Sequence, residues 1–434
     1  MEKPIKVAMV CHFSDSMVRS HLPLDNRKLY SFARKVLRMP EKSTGYGDIA
    51  AWDSYLIEFL SKRDDVKLYV ISAHSGLKKR VVTFNEENVC YYFVKCDYAT
   101  MLKKLIKSPA LWLRLNPMRP QVRHIIRNVN PDIVTLIGAE NAYISSTILG
   151  ISELPVLVQL QTVYNNPSRK QYSIIDDKNA FVEKEIFKAA KYVAIPSQLH
   201  YNLFKNYGTN AKVFDWHARL KMPEVRYNGS KQFDFVNYAL TMDLRKGYPD
   251  SIKALAIVKR SFPEVKLNLV GGGTDEEIKI LKNLVNELNL SENVFFTPFF
   301  EKQEDLFFHI QKSRFALLPC KLDYISGTQM QAMHFGLPLV CYETEGTPLL
   351  NKEKECALIA EKNNIEQLAE KMTILMMNPE KGELLRRNAK ERSVKKNNME
   401  ASTERLVNTY KAIVEYERKG TPIPEYLFFN LSAV

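Results

Sequence analysis

The sequence has 434 residues, which is too long for one ordinary hydrophobic core, so we expect two domains. Its 45% hydrophobic and 26% charged residues are typical of a soluble globular protein, and the absence of an apolar run of about 18 residues argues against a transmembrane helix. The net charge of +13 is concentrated in residues 1–127, which hold 23 lysines and arginines against 12 acidic residues, a balance of +11. The six cysteines contain no C-x-x-C pair and the first residues do not resemble a secretory signal, so we predict a cytoplasmic protein with reduced thiols.

Residues 1–215 are predicted to form a doubly wound α/β domain. Short apolar runs, typical of buried parallel strands, recur along them at residues 5–11, 66–72, 132–137, 154–161 and 191–196, and a further strand is predicted near residues 91–94. Polar residues follow two of these runs, at the strand ends where open α/β sheets hold ligands: His12 after the first run, and Glu140 and Asn141 after the third. Gly45 and Gly47 lie in a loop before a predicted amphipathic helix at 49–60.

Residues 101–127 combine hydrophobic side chains with cations and contain no acidic residue. Such a basic amphipathic segment, with Trp112 as an aromatic anchor, is typical of a helix that lies on an anionic membrane surface. Pro109 and Pro117 interrupt the segment, which favours helices of the domain core instead. Both alternatives stay open, and a solvated basic surface without any partner is the third.

A second domain is predicted over residues 232–395, after a linker at about 212–231 that contains Pro223, Asn228 and Gly229. Its predicted strands are residues 233–240, 266–270, 293–296, 315–319, 337–342 and 355–361. Helical patterns cover 365–377 and 379–395, and a last helix and tail occupy residues 396–434. The alternation of strands and helices predicts a second parallel sheet.

Two loops of this domain suit a phosphorylated ligand. Arg245 and Lys246 follow the strand at 233–240, where fixed cations would stabilise the charge of a departing diphosphate. Gly271, Gly272 and Gly273 follow the next strand and form a phosphate-friendly turn before a helix. This turn lacks the G-x-G-x-x-G spacing of dinucleotide-binding sites, so it argues little for NAD, and a tight turn without any ligand is its alternative.

Residues 317–340 are the most informative stretch, with the sequence LLPCKLDYISGTQMQAMHFGLPLV. The pattern predicts a buried strand, a loop, a helix that Gly336 and Pro338 end, and a second strand. Ser326, Gly327 and Thr328 suit the start of that helix, because they offer a hydroxyl cap, a residue without Cβ and free backbone N–H groups. The predicted geometry aims these N–H groups at the carboxyl edge of the sheet.

The run Ala332-Met333-His334-Phe335-Gly336-Leu337-Pro338 resembles the donor-sugar motif of the GT-B retaining glycosyltransferases of family 4, in which two glutamates separated by seven residues lead into Ala-Met-x-x-Gly-x-Pro. Asp323 and Gln331 stand at the two acidic positions here. The resemblance covers most of the chain and is strongest over residues 233–400. It implies two Rossmann-like domains facing a cleft, with the C-terminal helix crossing back to the N-terminal domain.

The resemblance also implies roles for individual residues. Lys246 would contact the donor diphosphate, and Arg245 would replace an arginine of the family whose position Thr241 occupies. Asp323 would hold the donor sugar, Gln331 the ribose, and Gly271, Gly272 and Gly273 would lie beside the nucleoside. Gly45 and Gly47 resemble the loop that approaches the reacting sugar. His12, Glu140 and Asn141 would lie on the acceptor side, where a structural role is the alternative for each of them.

The sequence therefore predicts a retaining hexosyltransferase with a nucleotide-sugar donor and a glycan or lipid-linked acceptor, as in lipopolysaccharide, capsule or other polysaccharide synthesis. No cofactor is expected, and no metal either, because the chain contains no Asp-x-Asp. The resemblance also implies that the departing phosphate can take the acceptor's proton, so no protein base is strictly required. We expect a cytoplasmic enzyme at the inner membrane face and no nucleic-acid partner, since no binding module accompanies the charge. An epimerase of the same fold and an inactive paralogue that binds glycan or nucleotide are the alternatives; Thr241 and Gln331 favour the latter.

Overall fold

The computed structural model describes residues 3–25, 49–167, 176–216, 222–300, 302–322, 324–396 and 398–430. The chain divides into two compact units, residues 1–220 together with 399–434, and residues 221–398. Three of the predicted site residues, Gly45, Gly47 and Asp323, lie outside the described residues.

The first unit is built on an eight-stranded sheet. Its strands, in chain order, are β1 (Ile5–Cys11), β2 (Val66–His74), β3 (Val81–Glu86), β4 (Val89–Lys95), β5 (Ile133–Ile137), β6 (Val156–Gln159), β7 (Tyr192–Ile195) and β8 (Lys212–Asp215). Their order across the sheet is β3-β4-β2-β1-β5-β6-β7-β8, and each neighbouring pair is parallel except β3 and β4. The chain leaves β1 towards β2 on one side and later returns to β5 on the other, so the winding direction reverses between β1 and β5.

Helices pack on both faces of this sheet: α1 (Ser16–His21), α2 (Ala51–Ser61), α3 (Asp97–Leu105), α4 (Pro109–Leu115), α5 (Met118–Val129), α6 (Ala142–Ser145), α7 (Asp177–Ala189) and α8 (Gln198–Lys205). Alternate residues of β1 belong to two different cores, with Val7 and Met9 in one and Ala8 and Val10 in the other. Successive strand side chains point to opposite faces, so the sheet is buried on both sides. This layering explains why the strands read as continuous apolar runs in the sequence.

Two strands of the first unit are absent from the sequence-based prediction. The edge strand β3 alternates between half-buried and exposed residues, so it lacks the continuous apolar run of a central strand. The strand β8 lies in the segment predicted to be a linker, and the prediction of a linker is wrong for residues 212–215. Phe214 is fully buried there, but its neighbours are only half-buried, so four residues of mixed polarity gave no strand signal.

The basic segment at 101–127 forms α3, α4 and α5 rather than one helix. Pro109 is the first residue of α4, where a missing N–H has no cost, and the Ser108 side chain caps that helix by accepting a hydrogen bond from Leu111 N. Trp112 is fully buried and donates from Nε1 to the Ala99 carbonyl at 3.4 Å, so its prediction as a membrane anchor is wrong. The helix α5 buries Val122, Ile125 and other apolar residues, as the core-helix alternative requires.

The second unit is built on a six-stranded sheet. Its strands are β9 (Phe233–Thr241), β10 (Leu267–Gly272), β11 (Val294–Thr297), β12 (Ser313–Leu318), β13 (Leu339–Tyr342) and β14 (Ala357–Ala360). All neighbouring pairs are parallel in the order β11-β10-β9-β12-β13-β14. The winding direction therefore reverses between β9 and β12, and a ligand crevice is expected outside the carboxyl ends of these two strands.

The helices of the second unit again cover both sheet faces: α9 (Tyr248–Val258), α10 (Asp275–Glu287), α11 (Gln303–Ile310), α12 (Gly327–His334), α13 (Ile365–Met377) and α14 (Pro379–Lys396). The helix predicted after residue 326 is confirmed as α12. Its C-cap residue is Phe335, and the next residue, Gly336, has a positive φ of 69°. The helices predicted over 365–377 and 379–395 are likewise confirmed as α13 and α14.

The last helix, α15 (Met399–Lys419), is part of the first unit. Its residues Leu406, Tyr410 and Ile413 lie in one of the two cores of that unit, and the Tyr410 hydroxyl accepts a hydrogen bond from Gln159 Nε2 at 3.0 Å. Phe429 N then donates to the carbonyl of Val213 at 2.9 Å, so the tail runs along the edge strand β8. The tail thus covers an edge that would otherwise be open to pairing with another chain.

Candidate functional site

The loops after β9 and β12 meet at the switch point of the second sheet. Lys321 N donates to the Arg245 carbonyl at 2.9 Å, which ties one loop to the other. Gly247 closes the β9 loop with a φ of 72°, and a Cβ added there would lie 2.3 Å from the carbonyl oxygen of Pro319. Only glycine fits both the left-handed backbone and this close approach. The sequence motif Lys-Gly therefore corresponds to a contact between the two loops.

Asp243 organises the β9 loop. Its carboxylate accepts hydrogen bonds from the backbone N–H groups of Arg245 at 2.8 Å and Lys246 at 3.3 Å, and from the Arg245 guanidinium at 2.8 Å. Burial raises the pKa of Asp243, but the hydrogen bonds and charge of Arg245 lower it by more, so this pKa lies below its ordinary value. Asp243 thereby offsets the charge of Arg245, whose side chain is 40% exposed. Arg245 as a diphosphate ligand stays a prediction.

Lys246 is half-buried beside the β12 loop, with Nζ 4.0 Å from Cys320 Sγ. Asn237 and Ser251 fix the backbone that carries it: Asn237 Nδ2 donates to Ser251 Oγ at 2.9 Å, and Ser251 Oγ donates to the Gly247 carbonyl at 3.1 Å. A second lysine, Lys321, lies nearby and forms an ion pair with Asp250 at 2.8 Å. The ammonium of Lys246 is therefore held towards the loop that leads into α12.

The start of α12 is a complete capping box, and the hydroxyl cap predicted at Ser326 is confirmed. Ser326 Oγ accepts from Gln329 N at 3.2 Å, and Gln329 Oε1 accepts from Ser326 N at 2.9 Å. Ser326 is 2% exposed, so its hydroxyl serves the helix rather than a ligand. Within the described part of the chain, the N–H groups of Gly327 and Thr328 donate to no acceptor, and Gly327 is exposed. These two amides are the ones that remain available to an anion.

Gln329 is a site residue that the sequence analysis missed. The sequence did contain a signal for it: Ser326 is followed three residues later by a glutamine, which is the capping-box pattern. Its Nε2 also donates to the carbonyl of Leu318 at 3.2 Å, so one side chain fixes both the end of β12 and the start of α12. Gln331, two residues further along, is half-buried and forms no side-chain hydrogen bond with the described residues, which leaves its amide available.

The three glycines Gly271, Gly272 and Gly273 do not form one turn. The first two are the last residues of β10, and a Cβ on Gly271 would lie 2.6 Å from the Ala239 carbonyl oxygen. Met242 N donates to the Gly272 carbonyl at 2.7 Å, so these glycines let β10 run close to the end of β9. The predicted turn is correct only for Gly273, which is exposed directly before the capped start of α10 at Thr274.

The first unit places His12 at its own switch point, between β1 and β5. His12 Nε2 lies 2.9 Å from the Tyr143 hydroxyl, and the two rings meet edge to face at 5.4 Å. The pKa of His12 is lowered to about 4, because burial disfavours the charged ring and the nearby His74 adds like charge. The ring is therefore neutral near pH 7, and its Nε2 shares a hydrogen bond with the Tyr143 hydroxyl, whose direction follows the tautomer of the ring.

Glu140 folds back over the loop after β5, so that a Cβ on Gly138 would lie 2.6 Å from Glu140 Oε1. Burial and then the charge of Glu140 raise the pKa of Asp53 well above its ordinary value, although a 3.0 Å hydrogen bond from Gln161 opposes them. Asp53 is 2% exposed and was missed, since a single acid near a helix start carries no signal in a sequence. Asn141 forms the N-cap position of α6 but caps it with its backbone only.

The described residues contain no group of three or more His, Cys, Asp or Glu side chains placed to hold a metal ion. None of the helices in those same residues has the length and apolar character needed to cross a bilayer. The structure thus joins the loop of Arg245 and Lys246 to the β12 loop that leads into α12, and it pairs His12 with Tyr143 of α6, the helix that follows Glu140 and Asn141 in the chain.

Residues 227–392 match the profile of the family described as glycosyl transferases group 1, a range that spans nearly all of the second unit. The chain carries a group 1 glycosyltransferase domain. The resemblance inferred from the Ala-Met-x-x-Gly-x-Pro run is confirmed by this match.

Two curated proteins resemble part of this chain in sequence. An uncharacterized glycosyltransferase of Haemophilus influenzae is 32% identical over 136 residues, which are 31% of this chain and 37% of that protein. The poly(glycerol-phosphate) alpha-glucosyltransferase of Bacillus subtilis is 26% identical over 127 residues, 29% of this chain and 18% of that protein. The chain thus aligns with well under two thirds of either relative.

Solved structures share the fold beyond the group 1 domain. Sucrose-phosphate synthase from Thermosynechococcus elongatus superposes with a TM-score of 0.67 at 15% identity, covering 95% of this chain and 99% of that one. Anabaena HepE in complex with UDP and glucose superposes with a TM-score of 0.65 at 14% identity, covering 94% and 99%. At these identities the likeness concerns the fold, and it confirms the predicted GT-B class with two parallel-sheet domains.

Proposed function

We propose that this protein is a retaining glycosyltransferase that moves a hexose-type sugar from a nucleotide-diphosphate donor to a hydroxyl of a glycan or glycolipid. The observation that carries the proposal is the meeting of the β9 and β12 loops at the switch point of the group 1 domain. There Lys246 lies beside the loop that ends in the open amides of Gly327 and Thr328. A cation and a helix N-terminus on one crevice suit a diphosphate.

In the proposed reaction, the largest change in charge occurs on the diphosphate of the donor. When the bond from the anomeric carbon to the phosphate oxygen breaks, the departing nucleoside diphosphate gains negative charge. Lys246 and the two amides stabilise that charge more strongly in the transition state than in the bound donor, which lowers the barrier. Gln331 offers its amide to the ribose, and Gly273 leaves room for the nucleoside. The departing phosphate oxygen takes the proton of the acceptor hydroxyl, so neither a metal nor a protein base is required.

The names of two similar proteins support this donor and acceptor class. HepE was solved with UDP and glucose, and the Bacillus subtilis relative is named as an alpha-glucosyltransferase of poly(glycerol-phosphate). A nucleotide-linked sugar and a polymer with free hydroxyls are the corresponding proposal for this chain. His12, Glu140 and Asn141 of the first unit are proposed on the acceptor side, where a neutral imidazole and a carboxylate can accept hydrogen bonds from sugar hydroxyls.

A donor screen tests the proposal. The full chain is incubated with UDP-, GDP-, ADP- and dTDP-sugars and lipid-linked glycan acceptors, and products are identified by mass spectrometry and their anomeric configuration by NMR. We expect one donor to give a product with the configuration of the donor retained. An inverted product contradicts the retaining mechanism, a free epimer formed without acceptor indicates an epimerase, and nucleotide binding without any product across the panel indicates an inactive paralogue.

A further inference from the structure

The helices α3 and α4 of the first unit expose an apolar surface. Tyr98, Met101 and Leu105 of α3 are 60%, 49% and 68% exposed, and Leu111 and Leu115 of α4 are 46% and 49% exposed. Their spacings of three, four and seven residues put them on one face of each helix. We call these five side chains the α3–α4 surface. Five large exposed apolar groups within eighteen residues are more than the scattered exposure that a soluble surface normally shows.

The exposure is not a sign of loosely packed helices. Ala99 and Trp112, on the opposite faces of α3 and α4, are both fully buried, and the Trp112 indole donates to the Ala99 carbonyl. Lys103 adds a second attachment, because its Nζ lies 2.6 Å from Asn179 Oδ1 and 3.2 Å from Asp176 Oδ2. Both helices are therefore fixed to the unit by their inner faces, and their outer faces are left to solvent.

Cations accompany the exposed apolar groups. Lys104, Lys107 and Arg114 are exposed and form no ion pair with any described residue. No acidic residue occurs between residues 98 and 131. Asp97, directly before the segment, accepts the N–H of Gly76 at 3.0 Å, and Asp176 pairs with Lys103. The exposed outer side is thus apolar and positively charged.

We propose that the α3–α4 surface docks on an anionic lipid surface, with its apolar side chains in the acyl boundary and Lys104, Lys107 and Arg114 at the phosphate groups. Leucine and lysine side chains in alternation match the interface of a bilayer, where an apolar layer lies directly below a charged one. The phosphates of a nucleic acid would pair with the cations but would leave the leucine side chains in water, so a nucleic acid fits the surface less well. The proposal rests on the first unit alone and does not depend on the donor chemistry of the second.

Vesicle co-sedimentation of the full chain tests this proposal. Vesicles of phosphatidylcholine mixed with phosphatidylglycerol are compared with vesicles of phosphatidylcholine alone. We expect binding to the anionic vesicles and a binding constant at least about fivefold lower on the neutral ones, since each basic residue near an anionic surface contributes about that factor. Addition of salt should weaken binding, because the charge is exposed and screened.

Two variants probe the two components of the surface. Lys104→Glu with Lys107→Glu should lower the binding constant by at least about 25-fold, about fivefold for each cation lost. Leu105→Ser with Leu111→Ser should lower it about tenfold or more, because two apolar side chains no longer leave water. All four residues are exposed, so the variants should keep the thermal unfolding temperature of the parent.

Matched controls on the second unit separate this surface from overall charge and hydrophobicity. Lys253→Glu with Lys279→Glu gives the same charge change on exposed residues, and Ile280→Ser with Met377→Ser removes apolar groups that are 54% and 71% exposed. These controls should bind vesicles as the parent does.

The proposal is overturned if the parent does not bind anionic vesicles, if the controls lose binding equally, if the leucine variant binds unchanged, or if duplex DNA displaces the vesicles from the parent. UDP binding, measured by calorimetry, should be the same in all variants, so failure here leaves the donor proposal untouched.

Discussion

The two units share the same architecture, but the side chains at their switch points differ in charge. Between β9 and β12 the second unit presents Lys246, two helix amides and Asp243, which is paired with Arg245. Between β1 and β5 the first unit presents a neutral histidine held by Tyr143, together with the buried Asp53 and the half-buried Glu140. A parallel sheet thus supplies the location of a crevice, and the side chains of the loops decide what it can bind.

The difference predicts different behaviour under mutation. An open cationic crevice contributes to ligand affinity and rate, so its residues can be lost without unfolding the unit. Buried polar groups joined by hydrogen bonds, such as His12 with Tyr143 and Asp53 with Gln161, contribute to stability and positioning, so replacing them should destabilise the unit even without ligand.

The largest effect is expected at Lys246. Replacing it with alanine in Lys246→Ala should lower kcat about 10²- to 10³-fold, because a fixed charge at a developing anion contributes at that scale. Turnover of the best donor from the screen measures this. The control is Lys253→Ala, which removes an exposed lysine of α9 and should leave kcat unchanged. Equal activity of the two variants would exclude Lys246 from the reaction.

Gly247→Ala tests the contact between the β9 and β12 loops. The added Cβ would meet the Pro319 carbonyl at 2.3 Å on a backbone with φ of 72°, so we expect a loss of about 3 kcal/mol in the free energy of unfolding. Gly420→Ala is the matched control, because Gly420 has the same φ of 72° and nothing within 4 Å of the new Cβ. It should cost only about 1 kcal/mol. Similar losses in both variants, measured by denaturant unfolding, would mean that the backbone angle alone matters.

His12 should make the first unit sensitive to acid. Its pKa is about 4 in the folded chain and 6.5 ordinarily, so below pH 6.5 the unfolded chain binds a proton that the folded chain does not. Stability is then full above pH 6.5 and falls towards pH 4, by about 2 kcal/mol between pH 7 and pH 5 from this group. The variant His12→Gln keeps an acceptor for Tyr143 and should lose that part of the pH dependence. The exposed His124, changed to glutamine, should leave the pH dependence as it is.

The smallest effect is expected at Gln331. Gln331→Ala should weaken UDP binding about threefold to tenfold, the contribution of one neutral hydrogen bond. Gln331→Glu keeps the acceptor oxygen and should retain most of the affinity. Calorimetric titration with UDP measures both. Unchanged affinity in the alanine variant would remove Gln331 from the ribose site.

Local patterns in the sequence were sufficient for much of the second unit. The hydroxyl cap at Ser326, the helix stop at Gly336 and the Lys-Gly pair after β9 depend on neighbours a few residues away, and each predicted feature is present. The glycine run was less informative, because whether Gly271 ends a strand or begins a turn depends on how close β9 approaches it. The short edge strands β3 and β8 were missed for a related reason, since their pairing partners rather than their composition make them strands.

The sequence by itself determined that this chain has two largely parallel α/β sheets and that one strand-loop-helix unit has a hydroxyl-capped helix start. Only the tertiary structure decided that Trp112 is a core residue, that His12 meets Tyr143 across 131 residues of sequence, and that Gln161 holds Asp53 across 108. Helix and strand patterns arise from contacts between near neighbours, which a sequence records directly. Which side chains face each other at a switch point depends on strand order, and strand order is set by long-range packing that no local pattern encodes.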